Sequence, residues 1–262
     1  MTKTPTASWL APLSALTAFV ALWQFAVWVT GVSVIVVPSP LAVGRALLRD
    51  AGALFEAMCR TSAAACLGLL ASSLLGLTAA FFFSRSRIIR TTFYPFAILL
   101  QTVPIVAVAP IVVISFGRGF FSITLISMMI SVFPVVTSTT TGLLQTDAGL
   151  LELLRLHQAT RWQEFWKIRL PSALPYLISG IRIAGGAAIV GAIVGEFFVG
   201  SGQPGLGAMI QRKSLGIAMD ELYATVIVST LLGVTLFAVV TIVGDGILKR
   251  FFGTTLSGAA NR

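Results

Sequence analysis

The sequence predicts an all-α, polytopic membrane protein, and its composition, hydropathy and charge spacing all point to that class. Of 262 residues, 56% are hydrophobic and 10% are charged, whereas soluble domains carry about 25% charged residues. The mean hydropathy is +0.95. A soluble fold of this length cannot bury so much apolar surface, and disorder requires the opposite composition. A soluble cytosolic enzyme and a disordered chain are therefore excluded.

The charged residues are spaced so that six long apolar segments remain between them. Five runs contain no Asp, Glu, Lys or Arg, namely 4–44, 61–84, 91–117, 119–146 and 222–244, and a sixth run, 170–195, contains only Arg182. About 20 apolar residues in a helix cross a bilayer core, and a helix satisfies its own backbone there. We predict one transmembrane domain over 1–262, with spans at about 9–30, 60–83, 92–115, 120–143, 174–198 and 222–248.

The basic residues between these spans predict the orientation. An even number of spans puts both ends of the chain on one side of the membrane. If that side is the cytoplasm, the cytoplasmic segments contain Lys3, Arg85, Arg87, Arg90, Arg155, Arg161, Lys167, Arg169, Lys249, Arg250 and Arg262, and the outer segments contain Arg45, Arg49, Arg60, Arg118, Arg212 and Lys213. This excess favours cytoplasmic termini. It also explains the net charge of +9, so we expect membrane lipid rather than nucleic acid around these residues.

After the first span, residues 41–56 predict an amphipathic helix at the membrane surface. Its apolar stripe comprises Leu47, Leu48, Ala51, Leu54 and Phe55, opposite Arg45 and Arg49. At the start of the second span, Cys59 and Cys66 are seven residues apart and share a helix face. We expect them to be small packing residues rather than a redox or metal pair.

The third predicted span contains two prolines, Pro104 and Pro110. Proline removes a backbone hydrogen bond and kinks a helix, which membrane proteins tolerate where the backbone lines a cavity. Gln101, Thr102 and Pro104 are therefore candidates for a translocation path. A structural kink between packed helices explains the same residues.

Between the fourth and fifth spans, segment 147–172 is the longest polar stretch, and it is predicted to be cytoplasmic. It contains Glu152, Arg155, His157, Arg161, Glu164, Lys167 and Arg169. Trp162, Phe165 and Trp166 are spaced to share one helix face, and Pro171 with Pro175 predicts the end of that helix. Such a helix suits docking in a partner's groove, and it equally suits anchoring at the lipid headgroups.

The fifth span carries two notable charges, Arg182 and Glu196. Fourteen residues of helix separate them by about 21 Å, so they cannot pair. Intramembrane charges usually face a bundle interior or a cavity, and both residues are candidates for the translocation path or for a structural role. The small residues between Gly180 and Gly195 permit close helix approach, either within the subunit or at a dimer seam.

Several motifs together resemble a known family. The run from Glu152 through Ala159-Thr160-Arg161-Trp162-Gln163 to Leu170-Pro171-Ser172-Ala173-Leu174-Pro175 resembles the EAA loop of permease subunits of ABC importers. Further matches to the nitrate/sulfonate/taurine-type branch are Pro38-Ser39-Pro40-Leu41, Gln101-Thr102-Val103-Pro104, Ala107-Val108-Ala109-Pro110, Phe116-Gly117 and Gly205-Leu206-Gly207. The motifs follow one order over about residues 10–250.

The resemblance implies a MetI-like fold of the type I importers in a bacterial cytoplasmic (inner) membrane. It makes the 147–172 segment the coupling helix that docks on an ATPase, through Glu152, Arg155, His157, Gln158, Ala159, Thr160, Arg161, Trp162, Phe165 and Trp166. The implied partners are a second permease subunit, identical or different, two ABC ATPase subunits, and a periplasmic or lipid-anchored solute-binding protein.

We expect this chain to bind no cofactor and to be no enzyme, with ATP and Mg²⁺ used by the partner subunit. No Gly-Lys dipeptide occurs, so the phosphate-binding loop of ATPases is missing. One histidine and two cysteines offer no plausible metal site. The sequence departs from the family where Gln158 replaces a glycine. Because glycine permits a left-handed bend, we expect a straighter helix here, or an ATPase with a different groove.

The expected solute is a small anion such as nitrate, a sulfonate or taurine, with a thiamine-precursor pyrimidine or riboflavin as the alternative within the family. The rival from another class is a stand-alone secondary transporter. Such transporters commonly carry several intramembrane acids, for which only Glu196 is a candidate. A membrane enzyme would need clustered histidines or acids, which the sequence lacks.

Overall fold

Helices form the regular structure of the described chain, as the apolar runs predict. The computed structural model describes residues 7–199 and 204–252, so the predicted cytoplasmic residues Lys3 and Arg262 lie outside it. Its helices are α1 (Ala7–Thr30), α2 (Pro40–Arg49), α3 (Ala51–Arg85), α4 (Arg87–Thr102), α5 (Ile105–Phe116), α6 (Phe120–Leu144), α7 (Ala148–Leu156), α8 (Arg161–Glu164), α9 (Leu170–Val199), α10 (Leu206–Leu215) and α11 (Met219–Phe252), with a π-helical turn at Phe165–Arg169. The all-α class is confirmed.

Among the described residues, five helical stretches are long and apolar enough to cross a membrane: Leu13–Thr30, Ala51–Arg85, Phe120–Leu144, Arg161–Val199 and Met219–Arg250. The third predicted span, 92–115, is not one continuous helix. It consists of α4 and α5, which meet at 99° and make a sixth span if they are counted together. Val103 precedes a proline and is extended, because the ring of Pro104 disfavours a helical residue before it.

The centre of the molecule is built from α3, α6 and α9, which approach closely through small residues. A Cβ atom on Gly191 of α9 would lie 2.7 Å from the Cα of Ser127 on α6, and the Ser127 hydroxyl donates to the Ala188 carbonyl at 2.8 Å. Gly76 of α3 lies equally close to Val135 of α6. These glycines therefore serve packing within the subunit, whereas Gly186 on α9 has nothing within 4 Å of its Cβ position.

The amphipathic helix predicted over 41–56 is wrong in extent and in its buried face. Helix α2 ends at Arg49, and α3 starts at Ala51. Val43 and Ala46 are the buried residues of α2, whereas Leu48 is 82% exposed. These two residues are three apart and face α11, where Ala224 completes the same cluster.

The outer surface of the bundle is apolar. In α1, the described side chains are exposed apart from the half-buried Trp23 and Val27, and the Trp23 ring lies 5.9 Å from that of Tyr223 on α11.

Cys59 and Cys66 on α3 are both exposed. Their expected packing role is therefore wrong within one subunit, because that side of α3 faces away from α6 and α9.

Candidate coupling segment and translocation path

Helix α7 stands apart from the bundle and presents an exposed apolar side. Asp147 caps its first turn, since Oδ1 accepts from the backbone N–H groups of Gly149 at 2.7 Å and Leu150 at 3.2 Å. Three leucines are exposed along it: Leu150 (46%), Leu153 (53%) and Leu156 (80%). Glu152 is exposed beside them, and the side chain of Arg155 lies outside the described part of the chain. The leucines were missed from sequence, although leucines spaced three apart in a polar stretch were the available signal.

The chain turns sharply after α7, so the expectation of a straighter helix is wrong. Gln158 is left-handed, with φ +53°, in the position where the family has glycine. The Ala159 N–H donates to the Leu154 carbonyl at 3.0 Å, and the exposed His157 ring nitrogen Nδ1 lies 2.9 Å from the Leu153 carbonyl. These bonds satisfy the end of α7 and hold the bend without a glycine.

The next helix begins with a reciprocal cap. The Thr160 hydroxyl accepts from the Gln163 backbone at 3.3 Å, and the Gln163 side chain accepts from the Thr160 backbone at 2.9 Å. This capping box explains the presence of Thr160 and Gln163 at these positions by local structure, without a contribution from any partner. It sets the direction in which Arg161 and Trp162 leave the bend.

The predicted aromatic face divides into a buried anchor and two exposed tryptophans. Phe165 is 8% exposed and meets Phe81 of α3 edge-on, with ring centroids 4.8 Å apart. Trp162 and Trp166 are 55% and 51% exposed. Phe165 therefore holds the segment on the bundle, and the two tryptophans remain free to contact a partner or lipid.

Pro171 and Pro175 do not end this helix, contrary to the sequence prediction. The helical stretch continues from Arg161 to Val199 because a π-turn precedes Pro171, with the Leu170 N–H donating to the Phe165 carbonyl. The wider turn makes room for the proline ring near the preceding carbonyls. Helix α7 is thus joined through one bend to a helix that crosses the membrane.

The candidate path residues on α4 lie at the bend before α5. Gln101, Thr102 and Pro104 are all exposed. Gln101 borders a cavity of about 470 Å³ whose other lining residues are Leu100, Val103, Ile105, Val108, Met129, Ile130, Phe133 and Val190. Within the described chain, no charged side chain lines this cavity. It is an apolar space with one amide at its edge.

The two charges of α9 have separate surroundings. The Arg182 guanidinium lies 5.5 Å from the centre of the Phe237 ring on α11, a cation–π geometry. Glu196 is 3% exposed. Its carboxylate accepts from the Thr61 hydroxyl at 2.8 Å and from the Gly207 N–H at 2.6 Å. The prediction that Arg182 and Glu196 do not pair is confirmed, because each side chain contacts other groups.

Glu196 therefore binds the first turn of α10, a contact that the sequence did not suggest. The Thr61 hydroxyl also accepts from the Leu206 N–H at 2.9 Å. A methyl group on Gly205 would overlap the Glu196 carboxylate, and one on Gly207 would overlap the Ile193 carbonyl. The Gly205-Leu206-Gly207 motif thus lets α10 pack on α3 and α9.

A bundle of apolar helices with a helix projecting between two spans defines the chain as a polytopic membrane protein. Residues 72–253 match the family of binding-protein-dependent transport system inner membrane components. The chain belongs to this family, the permeases of ABC importers.

Individual relatives agree with this assignment. A "Probable ABC transporter permease protein" of Haemophilus influenzae is 33% identical over 92% of this chain and 96% of its own length. The "Formylaminopyrimidine transport permease protein ThiX" of Halalkalibacterium halodurans is 30% identical over 78% and 81%. A "Putative aliphatic sulfonates transport permease protein SsuC" of Bacillus subtilis is 31% identical over 86% and 82%.

A solved structure shares the fold. A chain from inward-facing structures of the MetNI methionine ABC transporter superposes with a TM-score of 0.59 over 76% of this chain and 95% of that chain, at 19% identity. The MetI-like fold prediction is therefore confirmed.

Proposed function

We propose that this permease couples solute import to a separate ATPase through α7 and the bend that follows it. The observation that carries the proposal is the exposed α7, with Leu150, Leu153 and Leu156 on its surface, connected to the continuous helix Arg161–Val199. A partner that moves α7 would apply force at one end of a membrane-crossing helix.

The proposed assembly contains two permease subunits, identical or different, two ATPase subunits that bind ATP and Mg²⁺, and a periplasmic or lipid-anchored solute-binding protein. It lies in the bacterial cytoplasmic membrane with both termini and α7 in the cytoplasm. Coupling requires the ATPase pair to bind the inward-open and outward-open states with different affinities. In this scheme the permease itself holds no cofactor and catalyses no reaction.

Two substitutions test the docking residues, because Trp162 and Glu152 are both exposed on the proposed coupling surface. We expect Trp162→Ala and Glu152→Arg to lower uptake about tenfold or more, the range of a typical coupling free energy, while membrane insertion stays normal. The measurement is solute uptake by the complete transporter, together with ATPase co-purification. Trp28→Ala is the matched control, since Trp28 is 75% exposed on α1.

Normal uptake by either variant with its own ATPase would remove that residue from the docking surface. Failure of the wild-type chain to co-purify with any ATPase would favour the stand-alone secondary transporter instead.

For the solute, we propose a small neutral heterocycle of the thiamine-precursor type. The apolar cavity beside Gln101 favours an uncharged ring with one hydrogen-bonding edge, and a relative is named for formylaminopyrimidine transport. A nitrate, sulfonate or taurine-like anion is the second candidate, favoured by the relative named for aliphatic sulfonates. A thermal-shift ligand screen on the solute-binding protein separates the two, because only one class will stabilise it.

A further inference from the structure

A basic cavity lies between the end of α3 and the start of α8, away from the exposed face of α7. Its volume is about 350 Å³, within the range of small-molecule sites. The residues on which the argument rests are Phe81, Arg85, Arg161, Glu164, Phe165 and Arg169.

The charges in this cavity do not balance. Glu164 is occupied by Arg169, with Oε1 2.5 Å from Nη2 and 2.7 Å from Nε. Within residues 7–199 and 204–252, Arg85 and Arg161 have no ion pair, and both are exposed. Two guanidinium groups are therefore available to an anion that enters the cavity. Their planar N–H groups suit bidentate binding of a phosphate.

The position of the cavity indicates where that phosphate comes from. Arg85 is the last residue of the apolar stretch Ala51–Arg85. Phe81 and Phe165 form one wall, and the Trp162 ring packs on both, at 6.3 and 6.2 Å between centroids. Aromatic side chains beside unpaired arginines at the end of a span are typical of the headgroup level, and basic pockets on the cytoplasmic side bind anionic lipid headgroups.

We propose that this cavity binds the phosphate group of an anionic phospholipid from the cytoplasmic leaflet, through Arg85 and Arg161. The assignment to the cytoplasmic leaflet rests on the orientation given under the proposed function, whereas the cavity itself does not depend on it. A bound phosphate would bridge the end of α3 to the start of α8, and so hold the base of the coupling segment. An acidic side chain of the ATPase fits less well, because one wall is the end of the membrane helix α3, while the apolar surface suited to a protein groove lies on α7.

The test is lipid binding to the purified full-length chain, measured by native mass spectrometry. Phosphatidylglycerol, phosphatidylethanolamine and inorganic phosphate are titrated separately. We expect phosphatidylglycerol to bind best, and Arg85→Gln with Arg161→Gln to weaken its binding about tenfold, because charge-assisted hydrogen bonds are lost. The matched control, Arg87→Gln with Arg250→Gln, removes two exposed cytoplasmic charges outside the cavity and should weaken binding less than about twofold.

Each contrary result has a distinct meaning. Equal weakening in both double variants would overturn the site, since net charge alone would then explain binding. Inorganic phosphate that binds as tightly as the lipid would identify free phosphate as the ligand and overturn the lipid source. Unchanged lipid binding with loss of ATPase co-purification would assign the cavity to the ATPase interface.

If the double variant fails to fold, Arg161→Gln alone serves, because Arg161 is exposed. The lipid measurement needs neither solute nor ATPase, so its failure is distinguishable from failure of the proposed function.

Discussion

At the scale of single residues, Glu196 shows how tertiary contacts stabilise a buried carboxylate in a membrane helix. Its sequence position makes it a candidate for the translocation path, and that role remains a prediction. The structure surrounds it with Thr61, 135 residues away, and with the Gly207 backbone. A buried carboxylate is costly unless it is hydrogen-bonded. The same bonds fix the first turn of α10 against α3 and α9.

Thr61 tests this arrangement. Thr61→Val keeps the shape of the side chain but removes the hydroxyl that bonds Glu196 and the Leu206 N–H. We expect it to lower the free energy of unfolding by about 2 kcal/mol, the cost of leaving buried polar groups unpaired. Thermal unfolding of the purified chain gives the measurement. Thr61→Ser retains the hydroxyl and should stay closer to wild type; equal losses in both variants would contradict the hydrogen-bonding role.

At the scale of helices, the small residues on different sides of α9 have different packing roles. The sequence predicts close helix approach but does not distinguish the subunit interior from a dimer seam. Gly180 and Gly191 meet α6, whereas Gly186 meets nothing within 4 Å. The difference follows from the helical period, because residues five apart on a helix point in markedly different directions.

Two alanine substitutions on α9 separate these sides. Gly191→Ala places a methyl group 2.7 Å from the Ser127 Cα, and we expect it to cost about 1–3 kcal/mol in unfolding free energy through overpacking. Gly186→Ala, in the same helix, should not destabilise the purified chain, because alanine is also the better helix former. The comparison is made by thermal unfolding in detergent. A smaller loss for Gly191→Ala than for Gly186→Ala would contradict the packing.

At the scale of the whole molecule, the continuous helix Arg161–Val199 connects the bend after α7 to the region of α10. One end carries the bend at Gln158 and the exposed α7, and the other end carries Glu196. Movement of α7 would therefore be transmitted through this bend and then along a single helix. This arrangement requires α7 and α10 to lie on opposite sides of the membrane.

Site-directed labelling tests that requirement. In a chain carrying Cys59→Ser and Cys66→Ser, we expect Gln211→Cys on α10 to react with a membrane-impermeant maleimide in intact spheroplasts. His157→Cys, beyond α7, should react only after permeabilisation, with the chain expressed without its ATPase. Both side chains are exposed, so access depends on the side of the membrane. The reverse pattern would overturn the proposed orientation.

The sequence by itself determined the membrane class, the all-α fold and the family, because hydrocarbon imposes length and hydropathy on any crossing helix and the motifs lie in one order. It also singled out segment 147–172, the coupling segment of the proposed function, though not its shape. Only tertiary structure decided that Gln158 bends the chain, that Phe165 is buried while Trp162 is exposed, and that Pro171 lies within a continuous helix. Those outcomes depend on contacts such as Phe81 with Phe165 and on a π-turn, which residue spacing does not encode.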